Sequence, residues 1–325
     1  MARVVLGLGT SHSPQVSIPW TQWNLLRQKD ENDPRLDYSA LLAQAKPSLA
    51  QQAEPLQWAQ QGLRAQQALD ILSAVLHRTM PDALVVFGDD QHEQFQDDNL
   101  PAVAIFHGKI LPVVARHGGL FTQAGGVWAA VAAAEQAAWA ETAPEYPAAW
   151  ELAEHLIAAL TAEEFDVARC NQVRSASGTG HAFSFVYRRL WTDNPPPLVP
   201  VMLNTYYPPN QPTPRRCYRL GQAVRRAIES WDSDARVAVM ASGGLSHLLV
   251  DEALDRLVLD ALRHKHVEQL TTLPREKLRG GTSEILNWVA LAGAVDALEM
   301  TLVDYIPAYR SPAGTGCGMA FAYWK

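Results

Sequence analysis

Four short apolar runs, each breaking into a polar turn, constrain what this chain can fold into. Residues 4–8 lead into Gly9, Thr10, Ser11 and His12, and residues 83–87 into Gly88, Asp89, Asp90, Gln91 and His92. Residues 198–203 lead into Asn204, Thr205 and Tyr206, and residues 237–240 into a turn ending Gly243, Gly244, Leu245, Ser246, His247. Runs without polar alternation belong to strands covered on both faces. Helical periodicity fills the intervals, over 58–79, 127–138, 148–161, 215–230, 251–263 and 283–299. This alternation predicts an α/β fold, a single domain over 1–325 whose mixed, largely buried sheet is flanked by helices. Residues 27–70 begin with a Gln-, Asp- and Ala-rich stretch that lacks a strand, and are expected to form a helical excursion or lid.

With 48% hydrophobic and 19% charged residues the chain has the composition of a globular protein. Its net charge of −7 and the lack of a basic stripe argue against a nucleic-acid binder. Cys170, Cys217 and Cys317 are far apart and form no CxxC pair, which argues against a disulfide framework or structural zinc. No stretch approaches the roughly 20 apolar residues of a membrane span, and the N-terminal apolar run reads as a buried strand. A soluble, cytoplasmic protein with no membrane partner is expected.

Six of the ten histidines have bland settings. His77, His155, His264 and His266 fall on helical stretches beside polar residues, and His107 and His117 read as structural. His12, His92, His181 and His247 lie in or beside polar turns, three of them just beyond a strand. Strand ends converge in an α/β sheet, and ligands bind there. Imidazoles with one carboxylate form open non-haem iron(II) sites. The candidate carboxylate is Glu252, which opens the helical stretch DEALDRLVLDAL; an acid at a helix N-terminus, favoured there by the dipole, is the more general role of such a residue. GxGxxG after a strand, GxxxxGK[ST], HExxH and GxSxG are all absent.

The segments GTSHSP (9–14), GDDQHEQF (88–95), GTGHAF (178–183), NTYYPP (204–209), ASGGLSHLLVDEALDRL (241–257), SEILNWVALAGA (283–294) and PAGTGCGMAFAYW (312–324) occur in an informative order. Through them the chain resembles the catalytic subunit of protocatechuate 4,5-dioxygenase, within the class III extradiol dioxygenases. Its closest type is that of the gallate and 3-O-methylgallate dioxygenases. The resemblance implies an Fe(II) enzyme that inserts O2 into the ring of a catechol-type aromatic acid, working as a homodimer or larger homo-oligomer. It implies His12 and Glu252 as iron ligands, His181 as the acid/base and His247 as a pocket residue supporting the site. Thr282 and Ser283, ahead of a helix, are candidate donors to a substrate carboxylate; ordinary helix capping is the other reading.

One segment departs from the family pattern. The second iron ligand there is a His directly after an Asp, at the end of the second strand. Here the order is Asp89, Asp90, Gln91, His92, so an ungapped alignment puts Gln91 in the ligand position. His92 is expected to turn toward the metal, because imidazole suits iron better than an amide; Gln91 or Asp90 would replace it. The same strand ends would also carry a zinc-dependent or other hydrolase-like metal enzyme, or a non-catalytic binding protein.

Overall fold

The computed structural model describes residues 1–113, 127–137, 144–173 and 178–325; His117 and residue 138 lie outside them. The strands, in chain order, are β1 (Arg3–Thr10), β2 (Ala83–Asp89), β3 (Val103–Phe106), β4 (Ile110–Pro112), β5 (Glu145–Pro147), β6 (Ala168–Cys170), β7 (Leu198–Leu203), β8 (Arg236–Ser242), β9 (His247–Leu249), β10 (Met300–Tyr309) and β11 (Thr315–Trp324). Among the described residues nine of these form one sheet, in the order β10-β11-β1-β8-β2-β7-β3-β6, with β9 paired to β11. The strands β1, β8, β2 and β7 are parallel neighbours. The hairpin β10–β11 runs antiparallel within itself and against β1, so the sheet is mixed, as expected.

The unbroken apolar runs are explained by cover on both faces. Along β2, Ala83, Val85 and Phe87 enter one core while Leu84 and Val86 enter the other. The first core is completed by Leu156, Val224, Leu259 and Val289, from the helices Trp150–Ala162, Pro214–Ser230, Glu252–Arg263 and Ile285–Ala294. The second takes Trp23 and Leu26 from the helix Trp23–Glu31, Leu69, Leu72 and Leu76 from the helix Pro55–Thr79, and Phe183 from the short helix His181–Phe185. Each such fully buried side chain contributes about 1.5–3 kcal/mol relative to exposure.

Local signals fix several boundaries. Pro214 starts its helix, and the Thr213 side chain accepts from the Arg216 N–H, satisfying one orphan donor of the first turn. Residues 27–70 are helical and without a strand, but from Pro55 onward they are core: Trp58, Ala65, Ala68 and Leu69 are buried, and Trp58 Nε1 donates to the Tyr309 carbonyl at 3.0 Å. The helical pattern over 283–299 stops at Ala294; Asp296 then pairs with Arg225, and the chain turns into β10. The long hairpin β10–β11 was not foreseen as strands. No helix among the described residues is long and apolar enough to cross a membrane.

Because β1, β8, β2 and β7 are parallel, their carboxyl ends share one edge of the sheet. Thr10 is level with Ser242, and Phe87 with Ala241. His12, Asp89 and the turn after Ser242 therefore meet there.

Candidate metal centre

At this edge lies a cluster of buried His12 and Asp89 with half-buried His181, whose ligand atoms all fall within 4.8 Å of one another. The His12 and His181 rings meet edge-on with centroids 4.6 Å apart. Glu284 closes the group: its Oε2 lies 3.6 Å from His12 Nε2 and 3.6 Å from His247 Nε2. It comes from the turn that precedes the helix Ile285–Ala294, and it is 2% exposed.

The hydrogen bonds determine which nitrogen of His12 is free. The Ser242 hydroxyl donates to the Ala182 carbonyl at 2.6 Å, which uses its only proton. It must therefore accept from His12 Nδ1–H, 2.9 Å away. That leaves the Nε2 lone pair directed at Glu284, the tautomer a metal-binding histidine needs.

The acids are held by a small set of donors. Glu284 Oε2 accepts from the Gly244 N–H at 2.7 Å. Gln91 Nε2 donates to Asp89 Oδ2 at 2.8 Å and lies 3.5 Å from Glu284 Oε1. Asn287 Nδ2 donates to the Ser242 carbonyl at 3.0 Å and lies 3.5 Å from Asp89 Oδ1. Burial would raise the pKa of Glu284, but the positive charge of His247, then the contact with His12 and the Gly244 N–H, outweigh it and bring it down to about 2. Burial, then the charge of Glu284, pushes Asp89 up. Burial would lower His247, but Cys317 and Glu284 override it and raise it to about 10. Two buried carboxyl groups beside a free imidazole nitrogen are a cation site by donor type.

Over residues 61–316 the chain matches the model of a family described as the catalytic LigB subunit of aromatic ring-opening dioxygenase. The chain belongs to this LigB family. It is also similar to gallate dioxygenase of Pseudomonas putida, 34% identical over 162 residues. That match covers 45% of this chain and 45% of the relative, so the chain spans under half the length of the curated relative it matches.

In this LigB chain His12, His181 and His247 are brought together. Glu252 is not among them: Tyr309 donates to its Oε1 at 2.9 Å, Arg256 lies 3.1 Å from its Oε2, and the side chain is 38% exposed. Asp251 caps that helix, and the inward acid one turn on is Asp255, which receives the Ser246 N–H and hydroxyl and the Tyr305 hydroxyl. The acid that meets His12 is Glu284.

His92 is also turned away from the cluster. Its backbone is left-handed at φ 58°, its Nε2 lies 3.2 Å from Asp97, and its ring stacks on Tyr207 at 3.8 Å. Gln91, in the ungapped register, faces the carboxylates instead. Asp90 stays local, its carboxylate accepting from the N–H groups of Gln94 and Phe95 at 2.8 and 3.1 Å. Burial, then the charge of Glu93, raises Asp90 to about 7. The hydroxyls of Thr282 and Ser283 donate to the carbonyls of His247 and Gly280 at 3.2 and 2.6 Å, so their protons are committed inside the fold.

Sequence reasoning missed Asp89 and Glu284. Asp89 ends a wholly buried strand, where an acid is costly without a partner. Glu284 is the lone acid between Gly280 and Val295, at the head of an almost entirely apolar helix. Both were visible as acids out of place.

Proposed function

We propose that this chain is a non-haem iron(II) extradiol dioxygenase that opens the ring of a catechol-type aromatic acid of the protocatechuate, gallate or 3-O-methylgallate class. The observation that carries the reading is the meeting of His12 Nε2 with the Glu284 carboxylate at 3.6 Å, buried at the strand ends with His181 beside them. Membership in the LigB family supports the reaction type.

His12 and Glu284 would hold the metal, with Asp89 supplying a third donor and Gln91 bridging the two acids. Imidazole and carboxylate together suit iron(II). Iron bound there would supply the chelation of two vicinal hydroxyls and the electron transfer to O2 that ring opening requires. His181 takes a proton from a substrate hydroxyl and returns it to the product, a role worth about 100-fold or more. Glu284, held ionised, offers its carboxylate to the incoming cation. Three buried free cysteines fit a reducing cytoplasm, and a homo-oligomer follows from the family resemblance.

Mass spectrometry of the product formed under isotope-labelled O2 tests the reading. Both oxygen atoms are expected in a ring-opened acid. A product labelled by solvent oxygen alone would favour a metal hydrolase.

A further inference from the structure

The segment carrying Gln91 also places a carboxylate behind His181. Glu93 is buried, at 7% exposure. One of its oxygens accepts the His181 backbone N–H at 3.0 Å, and the other lies 2.7 Å from His181 Nδ1. Two bonds from one carboxylate to one residue fix both the backbone and the ring. The approach depends on Gly180, at φ 90°: a Cβ there would stand 3.1 Å from Glu93 Oε2. The loop is tied down on both sides of Glu93. Asp90 binds the N–H groups of Gln94 and Phe95, and Gln94 Nε2 donates to the Gly178 carbonyl.

A carboxylate offers only acceptors. With Oε1 occupied by a backbone N–H, Oε2 must receive the proton of Nδ1. From this geometry we infer that Glu93 is a positioning residue of the proposed ring-opening reaction. It holds His181 in the Nδ1–H tautomer and turns the Nε2 lone pair into the cleft, toward His12 and the substrate. The inference rests on the acid/base reading of His181. Outer partners that orient a working histidine are worth about 10–100-fold in affinity or activity.

Nitrogen-resolved NMR of metal-free protein labelled at histidine reads the ring protons directly, with His181 assigned by its loss in His181→Phe. The wild type is expected to carry the proton on Nδ1 and none on Nε2. In Glu93→Gln an NH2 group replaces one of the two acceptor oxygens, so with the amide oxygen kept on the His181 backbone N–H the ring proton is expected to move to Nε2. Glu93→Asp, which keeps two acceptors, should retain the wild-type pattern. If Glu93→Gln fails to fold by near-ultraviolet circular dichroism, Glu93→Ala replaces it, with a mixture of both tautomers expected. In iron-loaded enzyme, Glu93→Gln should lower kcat about 10–100-fold with KM within about twofold, and Glu93→Asp should recover part of it. A wild-type proton on Nε2, or an unchanged ring pattern in both Glu93→Gln and Glu93→Ala, would overturn the inference. A wild type that turns over no catechol would sink the dioxygenase reading, while the ring pattern would still decide the role of Glu93.

Discussion

Gln91 Nε2 donates to Asp89 at 2.8 Å, and the same nitrogen lies 3.5 Å from Glu284. A neutral amide thus stands between two buried acids that would otherwise repel. The neighbouring imidazole of His92 faces outward onto Tyr207. Removing the amide in Gln91→Ala leaves Asp89 short of a donor and should destabilise the metal-free protein by about 1–3 kcal/mol. His92→Ala should change stability by less than about 1 kcal/mol and leave metal affinity intact. Denaturant titration and calorimetric metal titration of the two variants measure both effects.

The two glutamates separate just as sharply. Glu284 meets His12 in the buried cluster, while Glu252 is tied to Tyr309 and Arg256. Glu284→Gln should weaken divalent-metal binding by at least about tenfold, roughly 1.4 kcal/mol. Glu252→Gln should bind metal as the wild type does. Equal loss in both variants would place the carboxylate ligand elsewhere.

Much of the fold was legible because its strands are so uniformly apolar. All four strands expected from the sequence are present, and the histidines at the ends of β1 and β8 lie near one another. What stayed hidden depended on side-chain direction. Whether Gln91 or His92 faces the cluster is set by a left-handed residue in a turn, which a strand pattern does not encode. Glu252 was favoured for lying close after GGLSH, yet Asp255 is the acid that turns inward there. Glu284 lies 37 residues beyond His247 in the chain, and only folding of the helix Ile285–Ala294 against β8 returns it to the site.

That helix packs through close backbone contact with the helix Pro214–Ser230. A Cβ on Gly221 would fall 1.8 Å from the Ala290 carbonyl oxygen, and one on Gly293 2.0 Å from that of Tyr218. Gly221→Ala should therefore push the helices apart and cost about 1–3 kcal/mol or more. Because Glu284 and Asn287 stand at the head of the same helix, metal affinity should fall with stability. Thermal denaturation with and without metal checks this.

The ion pair of Glu284 and His247 sets a pH window for the metal-free protein. Glu284 is depressed to about 2, so its contribution is present above its ordinary value of 4.5 and is lost as pH falls toward 2. His247 is raised to about 10, so its contribution is complete below 6.5 and is lost as pH rises through 10. Melting temperature against pH should decline at both ends. His247→Gln should remove the alkaline decline and shift the acid one upward in pH.

The most direct measurement is anaerobic reconstitution with iron(II), followed by oxygen uptake with catechol, protocatechuate, gallate and 3-O-methylgallate. The expected result is equimolar consumption of O2 and one of the aromatic acids, with loss of ring absorbance, abolished in His12→Ala and Glu284→Ala. Iron-loaded wild type that consumes no oxygen with any of them, or activity that survives both substitutions, would contradict the proposed reaction at this site.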